Sequence, residues 1–408
     1  MTIKLYFDTG DIRDVPTWEQ DPAWRRNTVS STLSIEDESG SRSFTAWTYS
    51  FGLDPLYELA GATPALDQYF SADKSLVDRI SGNNLITFTR ASTGTYVGAD
   101  GLIKTATTDE PRFTHDPVTL ECLGLLVEGA RTNLLLNSAT LSTQGVTVTA
   151  TAHTLSFTGT GTVTLSGAST AGPLVGTGTG EANRVSLTFT PSAGTLTLTV
   201  SGTVSNAQLE AGGSASSYIP TTSAAVPRAA DVASITGTNF TSWYNAAEGT
   251  LYADAIGGLG AADSAGILGI SDGTLANGIL LGFLTTTFGG FVVYDGGASQ
   301  AEVYPSVTGD VRKAAGVYAA NDFAVSYNGA AASTDVSGTV PTVNQLTIDQ
   351  KDIGASINGP IARIAYWPER LPNANLQAMT SVVPELAITT LAGDPIVTLV
   401  GLDNIITL

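Results

Sequence analysis

Any catalysis by this chain of 408 residues would have to draw on two histidines, one cysteine and a scatter of carboxylates. His115 and His153 stand in different segments with no Cys or carboxylate at ligand spacing, so a zinc site is not expected. Ser/His/Asp catalysis would need one of those two histidines, and neither sits in a recognisable frame. There is no Gly-x-Ser-x-Gly elbow and no lysine-bearing phosphate loop. The GTGTG run at 176–180 lacks the following helix that a dinucleotide turn requires, so it reads as a loop. Glycoside cleavage needs two carboxylates a few ångströms apart, and Asp254, Asp272, Asp295, Asp310, Asp322 and Asp335 are the candidates. Most of them stand beside Gly or Asn, where Asp stabilises a turn through its own backbone. Sugar or calcium binding and catalysis stay open for them, although no EF-hand ligand series is present. The chain reads as a non-enzyme that needs no metal and no cofactor.

Aromatic rings are the other chemical resource. Trp243, Tyr244, Phe288, Phe291, Tyr294 and Tyr304 fall in one block, where a ring can either stack on a pyranose face or fill a core. Tyr294 and Tyr304 flank loops. With Trp243 and Asp295 they make the candidate glycan-binding set.

The elements that must position these residues are strands. Charged residues are only 13% of the chain, while Gly (44), Thr and Ser are abundant, the composition of a β-rich protein with many turns. Hydrophobic content of 42% argues against disorder. The net charge of −19 opposes wrapping nucleic acid or binding an anionic membrane, and it would repel a strongly anionic glycan unless local patches differ. Cys122 is alone, so a buried small hydrophobe is its expected role. No apolar run approaches the ~20 residues that span a bilayer, and no targeting signal opens the chain. A soluble protein assembled in a cytoplasm is expected.

Along the chain, residues 1–66 form a first module. KLYFD, NTVSSTLSIE and SRSFTAWTYSFGL read as strands, with a polar hairpin turn in SIEDESGSRSF. Trp18, Trp24 and Trp47 either fill its core or anchor it in a partner's groove. Apolar spacing near three to four predicts helical character between Leu56 and Asp78. Residues 67–137 read as a β-rich linker of short strands and tight turns. Arg112, Glu128 and Arg131 are the charges expected to be held in place there, tying loops through paired hydrogen bonds. Residues 138–228 alternate with period two. Val146, Val148, Leu155, Phe157, Val185, Leu187, Phe189, Leu196, Leu198 and Val200 lie on one face, and Thr and Ser on the other, as in an antiparallel sandwich with one wet face. Residues 229–380 are strands separated by Asp-Gly, Gly-Gly, Asn-Asp and Asn-Gly steps, with a hairpin signal at Tyr327-Asn328-Gly329. Ile361–Trp367 reads as a final strand and Asn373–Thr380 as a short helix. Residues 381–408 are apolar and β-branched. Unpaired they would be an aggregation hazard, so they either pair with a neighbouring subunit or fold back.

Two stretches carry a resemblance. The series FTRAS, TYV, ADGLI, EPRF, HDPVT and GLLVEGARTNLL, between Asn84 and Asn137, resembles a segment of tail and virion-fibre proteins of tailed bacteriophages and prophages. QLE, ASSYIPT and RAAD, between Ala207 and Asp231, are similar to the exit of a carbohydrate-module-like sandwich in such fibres. AVSYNGA followed by GPIARIAYWPERLPNANLQAMT resembles the last strands of a concanavalin A-like (laminin-G-like) lectin domain. The resemblance implies an all-β, multi-domain chain of jelly-roll or concanavalin-like sandwiches behind a small N-terminal attachment module. It implies a fibre or spike subunit of a virion, assembled in the host bacterial cytoplasm. Its partners would be other virion proteins of tail, baseplate or capsid, host surface polysaccharide, and copies of itself, with a trimer favoured. A capsular polysaccharide depolymerase and a purely structural head-fibre or tail-tip component are the alternatives.

Overall fold

The computed structural model describes residues 54–256, 265–285, 288–306, 313–349 and 356–381, together with four short strands before residue 45. The expected roles of Trp18, Trp24 and Trp47, of Asp310 and of the tail beyond residue 381 lie outside the described residues. Every strand pairing among the described residues is antiparallel, and the chain is an all-β, multi-domain protein.

The chain divides into a unit of residues 1–63 and a unit of residues 64–408. In the first, Ile12–Arg13, Lys4–Tyr6, Leu33–Asp37 and Gly40–Phe44 pair in that order. The last two form the hairpin read from SIEDESGSRSF, with Asp37 opposite Gly40. A helix, Pro55–Ala60, follows. Asp54 caps it by accepting from Leu56 N at 2.9 Å, Pro55 opens it, and Gly61 closes it in the left-handed region.

The second unit is built on a large two-sheet sandwich. One sheet runs Ser333–Asp335, Asp322–Tyr327, Lys313–Ala319, Glu248–Ala255, Gly359–Trp367, Cys122–Val127 and Phe113–His115, with Leu66–Gln68 also paired to Gly359–Trp367. The other runs Ala298–Val303, Phe288–Asp295, Gly278–Thr285, Ala265–Ser271, Gln345–Ile348, Val232–Thr236 and Thr87–Thr89. Their inner faces share one dry core that includes Phe88, Leu125, Val127, Ile235, Leu251, Ile270, Phe291, Val325 and Ile364. The Tyr327-Asn328-Gly329 turn has Asn328 and Gly329 at positive φ, the geometry such a step favours. The closing helix spans Asn373–Thr380.

The 67–137 stretch is corrected by this topology. It is no separate linker: it adds Leu66–Gln68, Thr87–Thr89, Phe113–His115 and Cys122–Val127 to the two sheets. Local alternation shows that these residues are strands but cannot show that Leu66–Gln68 and Cys122–Val127 pair with Gly359–Trp367, and Thr87–Thr89 with Val232–Thr236, all more than a hundred residues onward; Phe113–His115 joins through its neighbour Cys122–Val127. The expected helical character between Leu56 and Asp78 is also interrupted. Only Pro55–Ala60 and Phe70–Asp73 are helical, and Leu66–Gln68 between them is claimed by the sheet.

A second, smaller sandwich is inserted between Cys122–Val127 and Val232–Thr236. One sheet is Gln144–Val148, Gly194–Ser201, Thr162–Gly167 and Leu174–Val175, and the other is Val185–Phe189, His153–Gly159 and Val204–Ala211. Val148, Leu155, Phe157, Phe189, Leu196 and Leu198 meet in its core, and Val146, Val185, Leu187 and Val200 pack at its margin. Period-two alternation places the apolar side chains of each strand on one face, which is the face this core buries; the expected wet face is corrected on two strands, where Thr154, Ser156, Thr158, Gln208 and Glu210 are buried too.

Candidate functional site at the junction of the two sandwiches

The chain enters and leaves the small sandwich through a two-stranded ribbon. Arg131–Asn133 pairs with Val226–Arg228, placing Arg131 opposite Arg228 and Thr132 opposite Pro227. Asn133 is fully buried and fastens the ribbon: its Nδ2 donates to Ala207 O at 3.0 Å and Ile219 O at 2.8 Å, while its Oδ1 accepts from Leu135 N and Leu209 N.

Behind the ribbon lies a buried ionic cluster. Arg112 donates from Nη2 to Asp231 Oδ2 at 2.5 Å and sets Nη1 2.8 Å from Glu128 Oε2. Arg90 donates from Nη1 to Asp231 Oδ1 at 3.1 Å and from Nη2 to Thr107 O at 2.7 Å. Arg228 donates from Nη2 to Gly129 O at 2.8 Å, with Glu128 Oε2 at 3.4 Å. Glu128 is completed by Ser217, whose N and Oγ both donate to it at 2.6 Å. Burial alone would push the Glu128 carboxyl up. Arg228, Arg112 and the Ser217 bonds outweigh it and hold it down at about 2. Arg112 is raised for the matching reason: burial pulls it down, and Glu128 and Asp231 more than reverse that. Gln208 and Glu210 extend the network. Glu210 accepts from Ser216 N at 2.8 Å and Gln208 Nε2 at 2.7 Å, and Gln208 Oε1 accepts from Ile219 N at 2.6 Å. The charges expected to tie loops, Arg112, Glu128 and Arg131, are all in this region, but they tie sequence segments that are far apart.

In front of the ribbon is a cavity of about 430 Å³. Ala130, Arg131, Thr132 and Leu134 form one wall with Pro227 and Arg228, and Thr147, Thr149, His153 and Ala211 of the small sandwich form the other. Arg131 and the exposed Thr147 and Thr149 supply donors and acceptors, while Leu134, Pro227 and the alanines supply apolar surface. Its volume lies within the ~300–1,000 Å³ of small-molecule sites, although it is an open groove and not an enclosed pocket. No carboxylate lines it. Gly212 lies against Arg131: at φ +143 it takes a backbone conformation that side chains rarely adopt, and a Cβ there would stand 2.8–3.0 Å from the arginine's Nη2, Cζ and Nε, so the guanidinium would have to shift.

The four glycan-binding candidates from sequence lie in the large sandwich, and none lines this cavity. Trp243 is corrected outright. It is 5% exposed and packed edge-on against Phe240 at 4.9 Å and Tyr366 at 4.8 Å between ring centroids, so it has no face for a sugar. Tyr304 is 42% exposed, with Tyr294 half-buried nearby. Partial burial and the neighbouring Glu302 and Tyr294 push the Tyr304 phenol up to about 12. Asp295 accepts from Thr339 Oγ1 at 2.5 Å. The other described turn aspartates are similarly engaged: Asp272 with Thr274 and Asn277, Asp335 with Ser337, and Asp322 with Arg370. His115 points Nδ1 at Val97 O, and His153 points Nδ1 at Thr151 O. Among the described residues no three His, Cys, Asp or Glu side chains gather as a metal site. Cys122 is half-buried rather than fully buried, and burial pushes its thiol up.

Sequence reasoning missed Arg90, Arg228, Asp231, Thr147 and Thr149. A usable signal existed: charges are scarce, yet arginines and acids recur in the two stretches FTRAS to ARTN and QLE to RAAD, and these stretches meet in the cluster.

No protein-family description matches the chain, and no curated protein sequence does. Among solved structures, the CBM40 of Ruminococcus gnavus IT-sialidase bound to α2,3-sialyllactose is 15% identical over 34% of this chain and 84% of its own, at a TM-score of 0.28. The binding domain of botulinum neurotoxin serotype C1 is 10% identical over 37% of this chain and 40% of its own, at 0.29. Trypanosoma rangeli sialidase is 12% identical over 36% of this chain and 25% of its own, at 0.28. All are partial likenesses at low identity, and no family follows from them.

Proposed function

We propose that this chain is a glycan-binding subunit of a bacteriophage fibre or spike, and that the cavity at the junction of its sandwiches is the sugar site. The observation that carries the reading is the composition of that cavity: threonine hydroxyls, two arginines, a histidine and apolar surface, with no carboxylate. Such walls can hydrogen-bond ring hydroxyls and cover the apolar face of a sugar. The two-carboxylate route to cleaving a glycosidic bond has no residues there to run it, which favours binding over depolymerisation. The virion assignment is supported by the resemblance of the Asn84–Asn137 and Ala207–Asp231 stretches to phage fibre proteins. Weak binding at each cavity would be multiplied by the copies held on one particle.

The test is a glycan array probed with the full chain and with Thr147→Trp, which fills the cavity from an exposed strand. Binding that the substitution abolishes supports the site. Binding that survives it moves the site elsewhere, and no binding at all removes the lectin reading and leaves a structural role. Immunogold labelling of intact particles with an antibody to this chain tests the virion assignment separately: label on projecting fibres supports it, and absence of the chain from purified particles sinks it.

A further inference from the structure

Two arginines line the cavity: Arg228 leaves Nε unpartnered but turns its other nitrogens inward to Gly129 and Ala229, whereas Arg131 leaves both Nε and Nη2 without a hydrogen bond. Its Nη1 donates to Ala130 O at 3.3 Å, and its Nε faces Glu210 Oε2 at 3.6 Å, beyond hydrogen-bonding reach. Among the described residues Nη2 makes no hydrogen bond, and the Arg131 side chain is 18% exposed. The other three arginines of the junction are turned inward, with side chains no more than 1% exposed. Glu210 accepts from Ser216 and Gln208 and takes its charge balance from Arg131 at 3.6 Å, which leaves the fork's Nη2 unbound.

The charge balance points the same way. In direct ionic contact, Arg90, Arg112 and Arg228 face Glu128 and Asp231, three cations against two anions, while Arg131 pairs with Glu210 alone; the one positive charge in excess belongs to the inner group, of which Arg228 lines the cavity. This surplus sits in a chain whose formal net charge is −19. It is the local departure that would let an otherwise repelling surface accept an anion. A single surplus charge matches a monoanion. A planar guanidinium fork matches a planar carboxylate, whereas a phosphate dianion is better met by several cations.

We infer that the cavity takes a carboxylate-bearing sugar residue, with the sugar carboxylate accepting from Arg131 Nη2 and the ring hydroxyls facing Thr147 and Thr149. This rests on the cavity being the sugar site proposed above and names its ligand class. A side chain at Gly212 would push the fork from its present place against the cavity wall.

The test is calorimetric titration of the full chain with oligogalacturonide, hyaluronan and sialic acid oligomers, each paired with its carboxyl-reduced form. At least one acidic oligomer is expected to bind, to weaken at least about tenfold on carboxyl reduction, and to weaken as salt rises. Arg131→Lys, which keeps the charge over Glu210 but loses the fork, should weaken the acidic form and leave the melting midpoint nearly unchanged. Thr147→Trp should abolish binding without touching the ionic cluster. Equal binding of acidic and reduced forms, both abolished by Thr147→Trp, overturns the carboxylate inference while the sugar site stands. Binding indifferent to Thr147→Trp, or no binding of any oligomer in the panel, overturns the inference. In that last case the neutral glycans of the array show whether the sugar site stands without it.

Discussion

Arg112 and Asp231 lie 119 positions apart in the chain, and their side chains meet at 2.5 Å with both groups fully buried. The pair spans the insertion of the small sandwich, so the strand before the insertion and the strand after it are held to one point. Asp231 also takes Arg90 on its other oxygen and accepts from Glu128 N at 2.8 Å. One carboxylate thus organises three segments of the large sandwich. The ribbon that forms the cavity wall hangs from this knot.

Removing one partner of a buried ion pair leaves the other uncompensated, at a cost of about 3–5 kcal/mol. Arg112→Met and Asp231→Leu should each destabilise by about that much in urea unfolding. The double substitution should cost less than the sum of the two by at least about 1 kcal/mol, because neither charge is then orphaned by the other's loss. Strict additivity would show that the pair is not coupled.

Glu128 has a folded-state pKa of about 2 against an ordinary 4.5. A depressed carboxylate stabilises the fold fully above its unfolded pKa and progressively less as pH falls towards the folded one. Roughly 3 kcal/mol should therefore be present at pH 7 and lost between about pH 4.5 and pH 2. Glu128→Gln should be less stable at neutral pH and should flatten this part of the acid dependence. Urea midpoints taken from pH 7 down to pH 2.5 read both effects.

The aromatic candidates should separate by burial. Trp243→Ala empties a packed site and should cost about 3–5 kcal/mol. Tyr304→Ala, on an exposed ring, should change stability by no more than about 0.5 kcal/mol. Glycan binding that is retained in Tyr304→Ala and lost in Thr147→Trp would agree with the junction cavity as the site. The reverse pattern would transfer the site to the Tyr304 surface.

Gly124 adopts φ +117 at a bulge where Cys122–Val127 pairs with Phe113–His115, and an added Cβ would stand 2.0 Å from Ile361 O. That contact is with backbone, which cannot turn aside. Gly124→Ala should cost at least about 2 kcal/mol by thermal unfolding. Gly296→Asn, at φ +60 with open space around it, should cost under about 1 kcal/mol. Equal effects would mean that the bulge strand relaxes.

Much of the small sandwich was legible because Leu155, Phe157, Leu196 and Leu198 repeat with period two and the strand does the rest. The same holds for the closing helix Asn373–Thr380 and the strand before it, bounded by Pro and turn residues. Trp243 and Tyr304 were not distinguishable, since both are aromatic residues in the same block and only packing buries one and exposes the other. Thr87–Thr89 lies in a stretch that reads as short strands, but its sheet and its partner are set by Val232–Thr236, which no local pattern names.

The sequence by itself determined the strand-and-turn character of the chain, the apolar face of each strand in the 144–211 sandwich, and the scarcity of catalytic groups. These follow from backbone stereochemistry, side-chain alternation and residue inventory, all of which act locally. Only the tertiary structure decided that Leu66–Gln68, Thr87–Thr89, Phe113–His115 and Cys122–Val127 belong to the large sandwich, that Arg90, Arg112, Glu128, Arg228 and Asp231 share one buried cluster, and that Arg131 faces a cavity with Thr147 and Thr149. Those relationships depend on pairings between strands far apart in the chain, whose register is chosen by the burial of a common core and leaves no trace in any single stretch.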